Sequence, residues 1–182
     1  MLKVQSVYEW FNWIKRAGAI ISGTSIMAMM LIIFADVFSR NFLGGSITGV
    51  LEVVQKYLMP LAIFPGLAFV YASGIMPRMD LLIVKFNKGF QNVVVYLLLI
   101  LELLIFTAVV YYSLEYAIYG VKENLSFSAG AALYPVYPIL FLIPFGFLLL
   151  IIEIIFVIVI NAMSGRPRFT VKDPAEITEG QL

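Results

Sequence analysis

Histidine and cysteine are both missing from this chain of 182 residues. Without cysteine there are no disulfides, thiolate metal ligands or thiol nucleophiles. Without histidine there is no imidazole to ligate haem or zinc, or to act as general base. Charge is sparse as well. Twelve Lys and Arg stand against 11 Asp and Glu, which leaves no basic surface of the kind that binds nucleic acid. No glycine-rich phosphate loop, nucleophile elbow or cluster of acid and base groups occurs, and no internal repeat or inverted pair of halves. The chain alone therefore lacks the usual means of enzyme catalysis, and no cofactor is implied.

What it has is apolar length. Hydrophobic residues make up 62% of the sequence and mean hydropathy is +0.99, which would coat a water-soluble domain in apolar surface. Four stretches carry almost no charge: Ala17 to Phe38, Tyr57 to Ala72, Val93 to Tyr119 and Tyr137 to Ile160. Each is close to the roughly 20 helical residues that cross a bilayer core. The expected fold is an all-α integral membrane protein with four transmembrane helices, whose helices and connections leave no room for a soluble catalytic domain. The first stretch exceeds a signal-peptide core and runs into Asp36 and Arg40, so it reads as a retained helix.

Basic residues set the expected orientation. Lys3, Lys15, Arg16, Arg78, Lys85, Lys88, Arg166, Arg168 and Lys172 fall on one side, and Arg40, Lys56 and Lys122 on the other. Both termini are thus expected in the cytoplasm. Two amphipathic segments, about 3–15 and 77–89, read as helices lying along the membrane surface, where they meet lipid headgroups. In the first, Val4, Val7, Tyr8, Phe11 and Ile14 oppose a polar face that includes Lys15. Residues 164–182 carry charges, Gly165, Pro167 and Pro174 without apolar periodicity, and read as a disordered tail.

Ionisable groups within apolar stretches are the main functional pointers, because lipid penalises them. Asp36 and Arg40, four apart, suit an ion pair on a helix face shared with Gly18, Ser22 and Ser25. Glu102 lies about 14 Å and Glu153 about 10 Å from the inner ends of the third and fourth spans. A stripe of Gln91, Glu102, Ser113 and Tyr116 is expected to face protein. No Lys or Arg falls inside the spans as drawn, so three readings stand open. A partner chain supplies polar or basic groups, the carboxyls are protonated and bonded within the bundle, or they hold a travelling ion. Pro60, Pro65 and Gly66 in the second span, with Pro144 and Gly146 in the fourth, read as kinks packed against neighbours.

The order of these features resembles a known family. Asp36 and Arg40 end the first helix, Glu52 opens the second, and Gly66 lies within it. A run from Gly74 to Leu82 follows, with Pro77, Arg78 and Asp80; then come Tyr134 with Pro135, and Pro144, Phe145, Gly146. Over residues 10 to 163 the pattern is similar to the small membrane subunit, DctQ-like or Q, of tripartite ATP-independent periplasmic (TRAP) transporters. Met76 stands where such proteins often carry histidine. The resemblance implies a bacterial inner-membrane protein that braces a large many-helix M subunit in sodium-coupled, elevator-type transport. It also implies a periplasmic substrate-binding protein, P, that delivers an organic acid anion such as a dicarboxylate or sialic acid. Rival readings are a homo-oligomeric channel or exporter with Glu102 at a shared pore, and a membrane anchor for another complex. Against the first, Val95, Leu98, Phe106 and Val109 fill the same stripe of the third span.

Overall fold

The computed structural model of the chain describes residues 2–74 and 88–164. The expected surface helix at 77–89, the tail, Met76, Pro77, Arg78 and Asp80 lie outside the described residues or at their edge.

Nothing in the first forty residues breaks a helix, since proline is absent there, and α1 runs unbroken from Leu2 to Phe42. Its 41 residues extend about 60 Å at 1.5 Å per residue. The segment expected to form a separate surface helix is thus continuous with the first span. Gly49, in the left-handed region at φ 89°, starts the second span. A side chain there would strike the backbone of Ala129 at 2.8 Å, so glycine is needed both for the turn and for the close approach.

The second span is broken into unlike pieces. Here α2 (Val50–Val53) leads into a π-helical turn (Val54–Leu58). Then follow α3 (Met59–Ile63), a 3₁₀ turn (Phe64–Gly66) and α4 (Leu67–Ala72). Pro60 and Pro65 lack the N–H that would continue the α-helical ladder, so the ladder shifts register at each. The third span is α5 (Lys88–Lys122). After it the chain makes a β-hairpin that hydropathy did not foretell, β1 (Ser126–Ala129) against β2 (Ala132–Pro135), antiparallel with Ala129 opposite Ala132. Gly130 at φ 63° opens its two-residue turn. Tyr134 and Pro135 therefore belong to a strand and only precede the fourth span. Tyr57 donates its hydroxyl to the Pro135 carbonyl and packs on Phe127 at 5.4 Å between ring centroids, which fastens the hairpin to the second span.

The fourth span begins with α6 (Tyr137–Leu140) and continues as α7 (Leu142–Ser164). Pro144 sits in the first turn of α7, where its missing donor costs nothing. Among the described residues four stretches are long and apolar enough to span a membrane: Tyr8–Phe42, Val50–Ala72, Phe90–Lys122 and Tyr137–Ala162. They run up, down, up and down. One end of the bundle, the hairpin end, carries the connections after α1 and α5, and the other, the terminal end, carries the start of α1 and the end of α7. Side by side, α1 packs on the second span, the second span on α7, and α7 on α5, so α5 stands at the edge of the row. The core joins Tyr71, Leu99, Leu150 and Ile154, with a second cluster of Phe11, Ala68 and Leu149.

Candidate functional site

Three helices meet with almost no side chain between them. A Cβ on Gly18 would run into the Pro65 carbonyl oxygen, and one on Gly146 would lie 2.5 Å from that of Phe64. A Cβ on Gly66 would meet the Ser22 hydroxyl at 2.7 Å. The 3₁₀ turn of the second span is therefore clasped between α1 and α7, backbone against backbone, as small residues permit in lipid. Gly66 and Gly146 thus have a packing role, and the stripe of Gly18, Ser22, Ser25 and Asp36 is buried along α1. Near the hairpin end, Asp36 accepts two hydrogen bonds, from Arg40 at 2.8 Å and from the backbone N–H of Ile47 at 2.8 Å. The second bond holds the loop after α1. We expect Asp36→Ala to lower stability by about 1 to 2 kcal/mol, because it orphans a partly buried donor. Arg40→Ala should cost about 0.5 kcal/mol or less, because an exposed pair is screened by solvent. Thermal unfolding in mild detergent checks the difference, and equal losses would contradict it.

Below the glycine clasp, toward the terminal end, lies a buried polar cluster. Lys15 is 1% exposed and Glu153 is fully buried. The Lys15 ammonium donates to Glu153 Oε2 at 2.7 Å. Tyr8 donates its hydroxyl to Glu153 Oε1 at 2.9 Å and accepts from Lys15 at 3.1 Å. Each side of the carboxylate thus has a donor, as a charge removed from water requires. The ammonium also stands 4.4 Å from the ring centroid of Tyr8 and 5.2 Å from that of Phe11. Phe156, one turn along from Glu153, seals the cluster against both rings at 5.4 and 5.7 Å.

This arrangement corrects two expectations. Lys15 is not a solvated charge on the polar face of α1 but a cation buried within the bundle, and Glu153 draws its counter-charge from its own chain. The signal was present in the spacing. Lys15 lies seven residues after Tyr8 and four after Phe11, which places it on their apolar face and not on the opposite one. Orientation by basic residues is unchanged in sign when Lys15 is removed from the tally.

Glu102 is half-buried on α5 and accepts a hydrogen bond at 2.6 Å from Tyr71, itself buried in the core beside Ile154. Tyr71 is thus the strut by which the second span reaches the third. Of the stripe expected to face protein, Gln91 and Ser113 are half-buried, but Tyr116 is exposed. Fourteen residues fall about 40° short of whole turns, enough to swing it off the packed face. Glu52 is exposed in the first turn of α2. Two further acids went unremarked in the sequence: Glu115, exposed on α5, and Glu123, exposed just past its end.

Among curated proteins and among solved structures nothing matches the chain. A family model does match, over residues 29–164, about three-quarters of the sequence. Glu153, Glu102, Asp36 and the clasping Gly66 and Gly146 lie inside the matched region, whereas Lys15 and Tyr8 precede it. A four-span membrane bundle with the family's pattern along most of its length belongs to the DctQ family, the DctQ component of tripartite ATP-independent periplasmic transporters.

Proposed function

We propose that the chain is the small scaffold subunit of such a transporter. It braces the large membrane subunit during sodium-coupled, binding-protein-dependent uptake of an organic acid anion across a bacterial inner membrane, with both termini in the cytoplasm. The observation that carries this reading is the fate of its internal carboxylates. Glu153 is held by Lys15 and Tyr8, and Glu102 by Tyr71. Groups stitched to neighbouring helices lock those helices together, and the glycine clasp removes the slack through which they could slide. A part that resists deformation suits a brace for an elevator that moves through lipid.

Reconstitution tests it. Vesicles holding this chain with the large membrane subunit should take up substrate when the binding protein and an inward sodium gradient are supplied. Vesicles holding either membrane chain alone should stay at background. Solute or ion flux through the present chain by itself would sink the scaffold reading in favour of a channel.

A further inference from the structure

We propose that the cleft between α1 and the end of the second span is a seat for a membrane phospholipid, whose phosphate is held by Arg16 and Asn12. The inference goes beyond the scaffold reading and does not depend on it.

The cleft is lined by Asn12, Lys15, Arg16, Phe69, Ala72 and Ser73. Its volume is about 80 Å³, more than one water needs and far less than a pocket for a whole organic solute, so it admits a group the size of a phosphate. Asn12 and Arg16 are four residues apart and reach it from one face of α1. Two of its polar groups are already engaged. Lys15 pairs its charge with Glu153, and the Ser73 hydroxyl donates to the Val70 carbonyl at 2.7 Å. The Asn12 amide and the Arg16 guanidinium, by contrast, meet no hydrogen-bond or ion-pair partner among the described residues. The nearest acid along α1, Glu9, is seven residues and about 10 Å away. An uncancelled guanidinium beside an amide is a donor set for an oxyanion, and a phosphate can take the guanidinium fork with two bonds at once.

Depth selects a lipid over a free ion. The second span ends at Ala72, and the uncharged run of α1 begins at Ala17. Arg16 and Ser73 therefore stand together where these two helices leave the hydrocarbon, which is the level of lipid headgroups. Trp13, exposed three residues before Arg16, suits the same level, because an indole is apolar in body and polar at its N–H. On the membrane side of the cleft, Phe69 lies one turn inside Ser73 and Ile20 one turn inside Arg16, and both are exposed. They give an acyl chain an apolar surface leading away from the polar cleft. A free phosphate would occupy the donors and leave that surface unused.

The test takes the full-length chain, purified in mild detergent and stripped of lipid, and counts bound lipid by native mass spectrometry. It is titrated with phosphatidylglycerol, with phosphatidylethanolamine and with a phosphate-free diglucosyl lipid of the same acyl chains. Both phospholipids should bind at a saturable site, and the diglucosyl lipid should not. Arg16→Gln should weaken phospholipid binding at least about tenfold, as loss of a hydrogen bond from a charged donor predicts. Arg16→Lys should weaken it less, since it keeps the charge and loses the fork. Lys122→Gln, which removes an exposed cation at the hairpin end, should leave it unchanged. Arg16 is itself exposed, and the elution volume of each variant reports that the bundle still folds. Equal binding of the phosphate-free lipid, or undiminished phospholipid binding by a variant carrying both Arg16→Gln and Asn12→Leu, would overturn the proposal. Displacement of the lipid by millimolar inorganic phosphate would overturn it too and give the cleft to the free ion.

Discussion

Replacing Lys15 with methionine will lower the unfolding free energy of the bundle by about 3 kcal/mol or more. The loss comes less from the missing attraction than from what is left behind. Glu153 is fully buried on α7, and its side chain is shorter than that of lysine. Tyr8 remains as one donor, which keeps the loss toward the lower end of the range for broken buried pairs. The reciprocal change, Glu153→Leu, should cost less. Lysine is long, and a cleft lined by Asn12, Arg16 and Ser73 opens beside it, so the ammonium has a way out toward the terminal end. The double variant with both substitutions should return to within about 1 kcal/mol of the native chain, since paired burial of charge gains little over apolar packing of equal volume. Reversible unfolding in mixed micelles, followed by loss of helical circular dichroism, measures all three. A double variant no more stable than Lys15→Met would show that the ion pair is not the source of the loss.

Gly18→Ala and Gly146→Ala should each destabilise by about 1 to 3 kcal/mol, and valine at either site by more. In both cases the added methyl runs into a backbone carbonyl of the 3₁₀ turn, and a carbonyl cannot rotate away as a side chain can. The helices themselves would have to part, and in lipid there is no hydrophobic gain to draw them back. Gly23 supplies the control, because it is exposed in the same helix and a methyl added there would meet nothing within 4 Å. Gly23→Ala should raise stability by about 0.5 to 1 kcal/mol through helix propensity alone. The two clasp substitutions press on one turn from opposite sides, so their combined effect should depart from the sum. Equal unfolding midpoints for Gly18→Ala and Gly23→Ala would mean that α1 and the second span do not touch as described.

The four spans, the all-α class and the family pattern were legible in the sequence, because apolar length is a local property that accumulates residue by residue along a chain. Proline placement likewise announced where the second span would deviate, since a missing N–H acts only on its own turn. The polar partners were another matter. Lys15 and Glu153 are 138 positions apart, and Tyr71 reaches Glu102 across 31. Which face of one apolar helix meets which face of another is not written in hydropathy, because nearly every face is apolar and lipid rewards none of them over the rest. Glycines at the points of closest approach, and donors set at the depth of a buried carboxylate, decided the lateral arrangement, and those are facts of assembled geometry. The sequence by itself determined that this chain is threaded four times through a membrane. Only the tertiary structure decided that an N-terminal lysine, a surface charge by hydropathy alone, closes the bundle from within.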